Sequence, residues 1–234
     1  IGNGAFGGCD SFTSITIPSS VKVIEAGAFK NCANLTSISL PNTLKELGGF
    51  CFENCPKLDH VKIPDPVKAI YDGTFQDCKA LTSISIPNHV TEIGGICFRG
   101  CTSLPAITLP DSLKTLGDQA FGGCTSLTSI VIPDSVKTLV WGTFGGCTSL
   151  TSVTLPASVS YLGSSCFCDC VNLSDFHIRR MTPPEASSAW QGIFGWYCNS
   201  LEIIYVPKGT KELYEAEHPW AGYKIVEEDT ESGI

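Results

Sequence analysis

The sequence predicts a single elongated solenoid, mostly β, made of about nine stacked coils of 23 residues each. Three residue types recur at this fixed spacing over most of the chain. Stacking coils in register buries their apolar sides, because like residues then lie over like residues in consecutive coils. The recurring positions are Phe6, Phe29, Phe52, Phe75, Phe98, Phe121, Phe144 and Phe167; Cys9, Cys32, Cys55, Cys78, Cys101, Cys124, Cys147 and Cys170; and Pro18, Pro41, Pro64, Pro87, Pro110, Pro133 and Pro156.

Each coil opens with a short strand, as the coil that follows Leu35 illustrates. Ser37 and Ser39 alternate with apolar residues, which is typical of a half-buried strand with its hydroxyls outward. Pro41 ends the strand and a turn follows. A second short extended piece then runs from Leu44 to Leu47.

A glycine-rich corner completes each coil. It is too short for a stable α-helix, so a 3₁₀ or single α turn is predicted, with its Phe and Cys facing inward. The residue before each Phe is small, which indicates close contact with the next coil. These small residues are Ala5, Ala28, Cys51, Thr74, Cys97, Ala120, Thr143 and Cys166.

The thirteen cysteines do not suggest a disulfide framework, because eight of them share one position of the repeat. Equivalent residues of paired strands lie about 4.8 Å apart, whereas a disulfide needs Cβ atoms about 3.8 Å apart. We interpret these eight residues as buried free thiols that pack as small hydrophobes, not as disulfides or metal ligands.

Cys168 lies outside that series of thiols. Its counterparts in other coils include Lys30, Glu53 and Arg99, so the position tolerates charge and is predicted to face water. Cys168 is therefore a candidate reactive thiol, or a site of pairing with another chain.

Composition excludes several functions. A formal charge of −8 argues against nucleic acid as a partner. No apolar run is long enough to cross a bilayer, and no glycine-rich loop precedes a long helix in the manner of a phosphate site. Ile1 is equivalent to Ile24, so we expect the chain to begin inside a repeat, as a fragment or a mature segment; an upstream signal is left open.

The period breaks after Cys170. Residues 171–207 are predicted to form an irregular last coil, and the solenoid, residues 1–207, is predicted to end with it. Residues 208–234 are predicted to form a C-terminal cap and a disordered tail.

Within the cap, Thr210 is a candidate helix N-cap, and Pro219 is expected to end the helix. Leu213 and Tyr214 are expected to face the last coil. Trp220 and Tyr223 would cover the end of the core, with a last strand over Tyr223–Val226.

The pattern LxxIxLP, followed by a second apolar pair and AFxxC, resembles leucine-rich repeats of the 23-residue BspA-like class. The resemblance covers residues 1–207. It implies a right-handed solenoid with a parallel sheet on one face, and a secreted or cell-surface bacterial protein. It further implies non-enzymatic adhesion or recognition of host or bacterial surface proteins or glycans. We expect no catalytic residue, no cofactor and a monomer.

Solenoids of this kind usually bind through the outer face of the sheet. Most outward residues there are Ser or Thr, which are also ordinary residues of a solvated strand, so a structural spacer is the alternative function. The departures from Ser and Thr favour recognition. The candidate partner-binding residues are Ser37, Ser39, His60, Lys62, Ser83, Ser85, Asp175, His177, Ile203 and Tyr205.

Three further features have a structural and a functional interpretation. Asp175 and His177 share a face and would form half of a metal site or an acid–base pair, but no third ligand is evident. Exposed aromatic side chains stack on sugars, but also cover the end of a core; the candidates are Trp141, Trp190, Trp196 and Tyr197. The runs at 111–113 and 134–136 resemble an O-glycosylation signal, although a serine turn is the simpler interpretation.

Overall fold

The computed structural model describes residues 1–187, 192–195, 198 and 200–229 and shows a parallel-strand β-solenoid with very little helix. In every described coil but one, a strand contributes to the first row, which forms the sheet face. The strands of this row are β1 (Ser14–Thr16), β3 (Ser37–Ser39), β5 (His60–Lys62), β7 (Ser83–Ser85), β10 (Ser129–Val131), β12 (Ser152–Leu155), β14 (Asp175–Ile178), β16 (Ile203–Pro207) and β17 (Lys224–Glu228).

A second row of two-residue strands follows the turn of each coil, as the sequence predicts. These strands pair in parallel in three small sheets. They are β2 (Val23–Ile24), β4 (Glu46–Leu47), β6 (Ala69–Ile70), β8 (Glu92–Ile93), β9 (Thr115–Leu116), β11 (Thr138–Leu139), β13 (Tyr161–Leu162) and β15 (Glu185–Ala186).

The register of the sheet face follows the repeat. Ser14 pairs with Ser37, and Ser129 with Ser152, each 23 residues on. The row is divided, however, into a sheet of β1, β3, β5 and β7 and a sheet of β10, β12, β14, β16 and β17.

The interruption lies in the fifth coil, where no strand forms around Ala106 and Thr108, two positions that the repeat predicts on the sheet face. In neighbouring coils the residue before the strand donates its N–H across the stack, as Thr82 does to the Asp59 carbonyl at 2.8 Å. Pro105 occupies the equivalent position and has no N–H to donate. The expected strand is therefore lost there.

The core confirms the predicted stacking. The rings of Phe75, Phe98 and Phe121 lie almost parallel, with centroids 5.6 and 5.3 Å apart. The stack, hereafter the phenylalanine ladder, runs from Phe6 to Phe167, and from Phe29 onwards every ring is fully buried.

The cysteines of the repeat are free and have a second role that the sequence does not reveal. The Cys101 thiol donates to the carbonyl oxygen of Phe75 in the preceding coil at 3.2 Å. The same oxygen accepts the N–H of Cys78 at 3.1 Å. The pattern repeats from Cys32 to Cys170, so each thiol fills space and joins two coils.

The corners contain single turns closed by i→i+3 hydrogen bonds, which have the predicted 3₁₀ bonding pattern but do not continue into a 3₁₀ helix. In the coil that contains β7, the N–H of Arg99 donates to the Ile96 carbonyl, and that of Cys101 to the Phe98 carbonyl. Ile96 and Gly100 have φ of 48° and 75°, and a left-handed residue interrupts any right-handed helical turn.

The last coil distributes its extra residues unevenly. Leu162 pairs with Ala186, an offset of 24 residues, and Asp175 pairs with Ile203, an offset of 28. A second-row strand therefore forms at Glu185–Ala186 within the irregular last coil. Most of the insertion lies after it.

The cap consists of helix α1 (Lys211–Glu215), a 3₁₀ turn (Trp220–Gly222) and β17, which extends the sheet in parallel beside β16. Tyr214 is buried as expected, but Leu213 is 49% exposed, so its predicted inward placement is wrong. The helix ends at Glu215, four residues before Pro219.

Thr210 precedes α1 as predicted, but its hydroxyl donates to the Pro207 carbonyl at 2.6 Å and does not cap the helix. Trp220 is fully buried and Tyr223 packs against the core, as predicted. The division into residues 1–207 and 208–234 stays a prediction, and residues 230–234 of the expected tail lie outside the described part.

Candidate functional site

Six of the ten predicted contact residues lie together on three adjacent strands, β3, β5 and β7. His60 pairs with Ser37 on one side and with Ser83 on the other, and Lys62 pairs with Ser85. The group is called the N-terminal sheet patch and comprises Ser37, Ser39, His60, Lys62, Ser83 and Ser85.

A depression of about 740 Å³ covers the first part of this patch, over β1, β3 and β5. Its rim and floor include the hydroxyls of Ser37 and Ser39 and the side chains of His60 and Lys62. Within the described residues, the Ser37, Ser39 and Lys62 side chains form no hydrogen bond or ion pair, and His60 has only Asp59, with Nδ1 3.7 Å from Oδ2. Their hydrogen-bonding capacity is available to a partner.

The remaining four predicted residues form a second group on β14 and β16. Asp175 pairs with Ile203, and His177 with Tyr205. The His177 and Tyr205 rings stack with centroids 4.5 Å apart and planes 11° apart. This C-terminal sheet patch, made of Asp175, His177, Ile203 and Tyr205, is thus a contiguous surface.

Three residues of this neighbourhood, Ser174, Arg179 and Glu228, could not be identified from the repeat. Glu228, at the end of β17, has its carboxylate 2.9 Å from His177 Nδ1 and 3.0 Å from Arg179 Nη1. The Ser174 hydroxyl donates to Asp175 at 2.7 Å. The Asp175 carboxylate and the His177 imidazole therefore already have partners, in contrast to the polar groups of the N-terminal sheet patch.

The acid–base or metal interpretation of Asp175 and His177 gains no support from this geometry. The imidazole faces Glu228 and Tyr205, and Asp175 is held by Ser174. Among the described residues, no three His, Cys, Asp or Glu side chains are grouped as metal ligands. The Glu228 ion pairs instead link the eighth coil to the last strand of the cap.

The two patches are separate along the solenoid. Between them lie the interrupted fifth coil and the strands β10 and β12. Val131 on β10 is 80% exposed, which makes it the most exposed of the large apolar side chains on this face. A partner that spans both patches would cross it.

The glycosylation-like runs have ordinary structural roles. The Ser112 hydroxyl donates to the Val90 carbonyl at 2.8 Å, and the Ser135 hydroxyl to the Leu113 carbonyl at 2.5 Å. Both serines therefore join consecutive coils. Of the aromatic candidates, Trp141 is half exposed, whereas Trp190, Trp196 and Tyr197 lie outside the described residues.

Cys168 is half-buried. It is therefore less exposed to water than the charged residues at its position in other coils suggest. Burial, reinforced by the Asp169 carboxylate, raises the pKa of its thiol. Cys198, which the repeat does not mark, shows the opposite tendency: its interaction with the neighbouring Cys170 thiol lowers the pKa of the Cys198 thiol.

Native-state thiol labelling is expected to modify Cys9, Cys168 and Cys198 before the ten buried cysteines. Because the thiolate is the reactive species, Cys198 should react faster than Cys168. Mass spectrometry of peptides after timed exposure to iodoacetamide measures the order. Equal slow labelling of all thirteen thiols would contradict a reactive thiol at either position.

The repeat of this chain matches a known protein family. The BspA type leucine rich repeat region matches residues 1–126 and 68–193, in six copies. Comparison with curated proteins gave no match. No helix among the described residues has the length and apolar character needed to traverse a bilayer.

Solved structures give the same result. A leucine-rich repeat protein from Bacteroides ovatus is 30% identical, with a TM-score of 0.71 over 92% of this chain and 63% of that one. The T. pallidum leucine rich repeat protein is 31% identical, with a TM-score of 0.64 over 69% of this chain and 78% of that one. A leucine rich cell surface protein from Faecalibacterium prausnitzii, 24% identical over 98% of this chain and 66% of that one with a TM-score of 0.55, shares the fold. The chain spans 63% of the length of the Bacteroides protein.

Proposed function

Because the chain belongs to the BspA type leucine-rich repeat family, we propose that it is a non-enzymatic recognition module of a secreted or cell-surface protein. It contacts host or bacterial surface proteins or glycans through its sheet face. The module acts as a monomer and needs no cofactor.

The observation that carries this proposal is the state of the N-terminal sheet patch. The His60 imidazole, the Lys62 ammonium group and the hydroxyls of Ser37 and Ser39 line a concave surface and have almost no partners within the described chain. Such groups gain hydrogen bonds on binding and lose few internal ones, so their desolvation is compensated by the partner. Their neighbours in other coils are mostly Ser and Thr, which makes His60 and Lys62 the distinguishing elements.

The C-terminal sheet patch has a different role within the same proposal. Its stacked rings and ion pairs are already ordered, so these side chains lose little conformational entropy when a partner binds. It supplies a rigid aromatic surface beside the cap, which suits a secondary contact.

The alternative function is a spacer that holds another domain away from the cell. The largely uniform Ser and Thr surface favours it, since such a face makes no specific contacts. Clustering of the non-Ser, non-Thr residues in two contiguous groups favours recognition.

Replacement of both His60 and Lys62 by Ser is expected to weaken partner binding by about 10-fold or more, as loss of central interface residues commonly does. The parent and the double variant are screened against immobilised matrix proteins and glycans, and any hit is quantified by surface plasmon resonance. Neither side chain is buried, so the fold is expected to remain intact.

The matched control is the double variant His89→Ser and Lys137→Ser, which removes the same two types of side chain from exposed positions outside the patch. It should bind as the parent does. Equal binding by the parent and the His60 and Lys62 variant would exclude the N-terminal sheet patch. Failure of the parent to bind any immobilised candidate would favour the spacer.

A further inference from the structure

A second concave surface lies at the corners of the coils, away from both sheet patches. Two consecutive glycine pairs, 122–123 and 145–146, line a cleft of about 400 Å³. Arg99, Gln119, Trp141 and Asp169 also line it. It is called the glycine cleft.

The glycine cleft exists because two coils lack a side chain that other coils carry. The positions of Gly122 and Gly145 are occupied by Lys30, Glu53 and Arg99 in earlier coils. Gly122 and Gly145 have no left-handed φ that would require glycine. Two successive coils therefore lack the side chain that this position carries in earlier coils, and a cleft lies over them. At Gly145 part of the space is taken by Cys168, whose Sγ would lie 2.9 Å from an added Cβ.

Trp141 has no aromatic counterpart in the repeat. The equivalent residues are small or polar, among them Asp72, Gly95 and Asp118. The indole is 50% exposed, although tryptophan side chains in folded proteins are largely buried on average. Its exposed area is next to the glycine floor, so the cleft presents a flat apolar surface beside exposed backbone.

The polar groups of the cleft complement this apolar surface. Within the described residues, the side chains of Arg99, Gln119 and Asp169 form no hydrogen bond or ion pair. Together they offer donors on the guanidinium, a donor and an acceptor on the amide, and acceptors on the carboxylate. With Asp77, the cleft carries one cation and two carboxylates, so it does not favour an anionic ligand.

We propose that the glycine cleft binds a neutral saccharide. A pyranose ring has an apolar face that packs on an exposed indole, and hydroxyls around its edge that both donate and accept hydrogen bonds. Planar side chains such as those of Arg99, Gln119 and Asp169 match that edge. A volume of about 400 Å³ lies within the range of small-ligand sites.

An apolar peptide or a lipid fits this cleft less well. Either ligand would leave the guanidinium, the amide and the carboxylate without water and without partners, which is costly. The net negative charge disfavours a phosphate or sialylated ligand. A neutral polyhydroxylated ring is the ligand class that satisfies both the indole and the polar rim.

Maltose, cellobiose, lactose and N,N′-diacetylchitobiose serve as probes, with saturation-transfer NMR and tryptophan fluorescence as readouts. At least one is expected to bind the parent with a dissociation constant of about 1 mM. Trp141→Ala should weaken that binding about 10-fold, the loss expected for an aromatic stacking contact. Gly122→Gln, which fills the cleft with the residue found at position 76, should weaken it to a similar extent.

Matched controls separate the cleft from general effects. Tyr71→Ala removes another partly exposed aromatic ring, and Lys30→Gln places glutamine at the same position of a coil outside the cleft; both should bind like the parent. The variant His60→Ser with Lys62→Ser should also bind like the parent, which keeps this test independent of the sheet face. Absence of binding by all four sugars, or unchanged binding by Trp141→Ala, would overturn the proposal.

Discussion

Replacing Phe98 by Ala is expected to lower the free energy of unfolding by about 3–5 kcal/mol. The ring is fully buried in the middle of the phenylalanine ladder. It contacts Phe75 on one side and Phe121 on the other, at centroid distances of 5.6 and 5.3 Å. Its removal therefore deprives two coil interfaces of their largest apolar contact.

Collapse cannot relieve the resulting cavity, because the spacing of the coils is fixed by their backbones. The N–H of Phe98 donates to the Ala120 carbonyl at 2.8 Å, and that of Phe75 to the Cys97 carbonyl at 2.9 Å. Bringing the remaining rings together would break these bonds. The cost should thus lie in the upper part of the range for aromatic truncations.

Urea unfolding followed by both circular dichroism and tryptophan fluorescence measures this loss, since two probes reveal whether the repeats unfold together. Phe12→Ala is the control: this ring is only half-buried and contacts the ladder at its first member, Phe6. Its truncation should cost less than half as much. An unchanged midpoint for Phe98→Ala would show that the ladder is not the core.

Most of the solenoid could be predicted from the sequence because the period is constant. A repeat without insertions places each residue over its equivalent, so the inward positions of Phe98 and Cys101 follow from spacing alone. The interruption at Pro105 could also have been predicted, because proline has no N–H to donate to a neighbouring strand. The two-residue second strands followed from the recurring apolar pair.

Features set by contacts between unlike segments could not be predicted. Glu228 reaches His177 only because β17 continues the sheet with an offset of 21 residues, which the repeat does not specify. Cys168 is partly buried since Gly145 and Gly195 leave room beside it; a Cβ on either glycine would come within 3 Å of it. Its charged counterparts gave no sign of that space.

The same limit applies to the candidate sites. The outward residues of β3, β5 and β7 were identifiable from alternation, and their position on one patch follows from the regular register. The glycine cleft was not identified, because it depends on what two coils lack. Only the packing shows that the side chains missing at Gly122 and Gly145 adjoin an exposed Trp141.

Truncation of Trp220 is expected to have an effect as large as that of Phe98, about 3–5 kcal/mol, but confined to one end of the molecule. The indole is fully buried between the cap and the last coil, with centroids 6.0 Å from Tyr214 and 6.5 Å from Phe194. The Tyr214 hydroxyl in turn donates to the Arg180 carbonyl at 2.8 Å. Trp220→Ala therefore removes the contact that holds α1 and β17 against the solenoid.

Because a solenoid couples each coil mainly to its neighbours, the loss should remain local. Amide hydrogen exchange is expected to accelerate in β16 and β17, while β5 and β7 keep their protection. The His177 ring resonances should shift as well, since Glu228 leaves with β17 and His177 loses its carboxylate partner. Trp220→Phe, which keeps an aromatic ring in the same space, should change exchange much less. Uniform acceleration along the whole chain would instead mean that the cap and the solenoid unfold as one unit, and protection unchanged at β17 would mean that Trp220 does not anchor the cap.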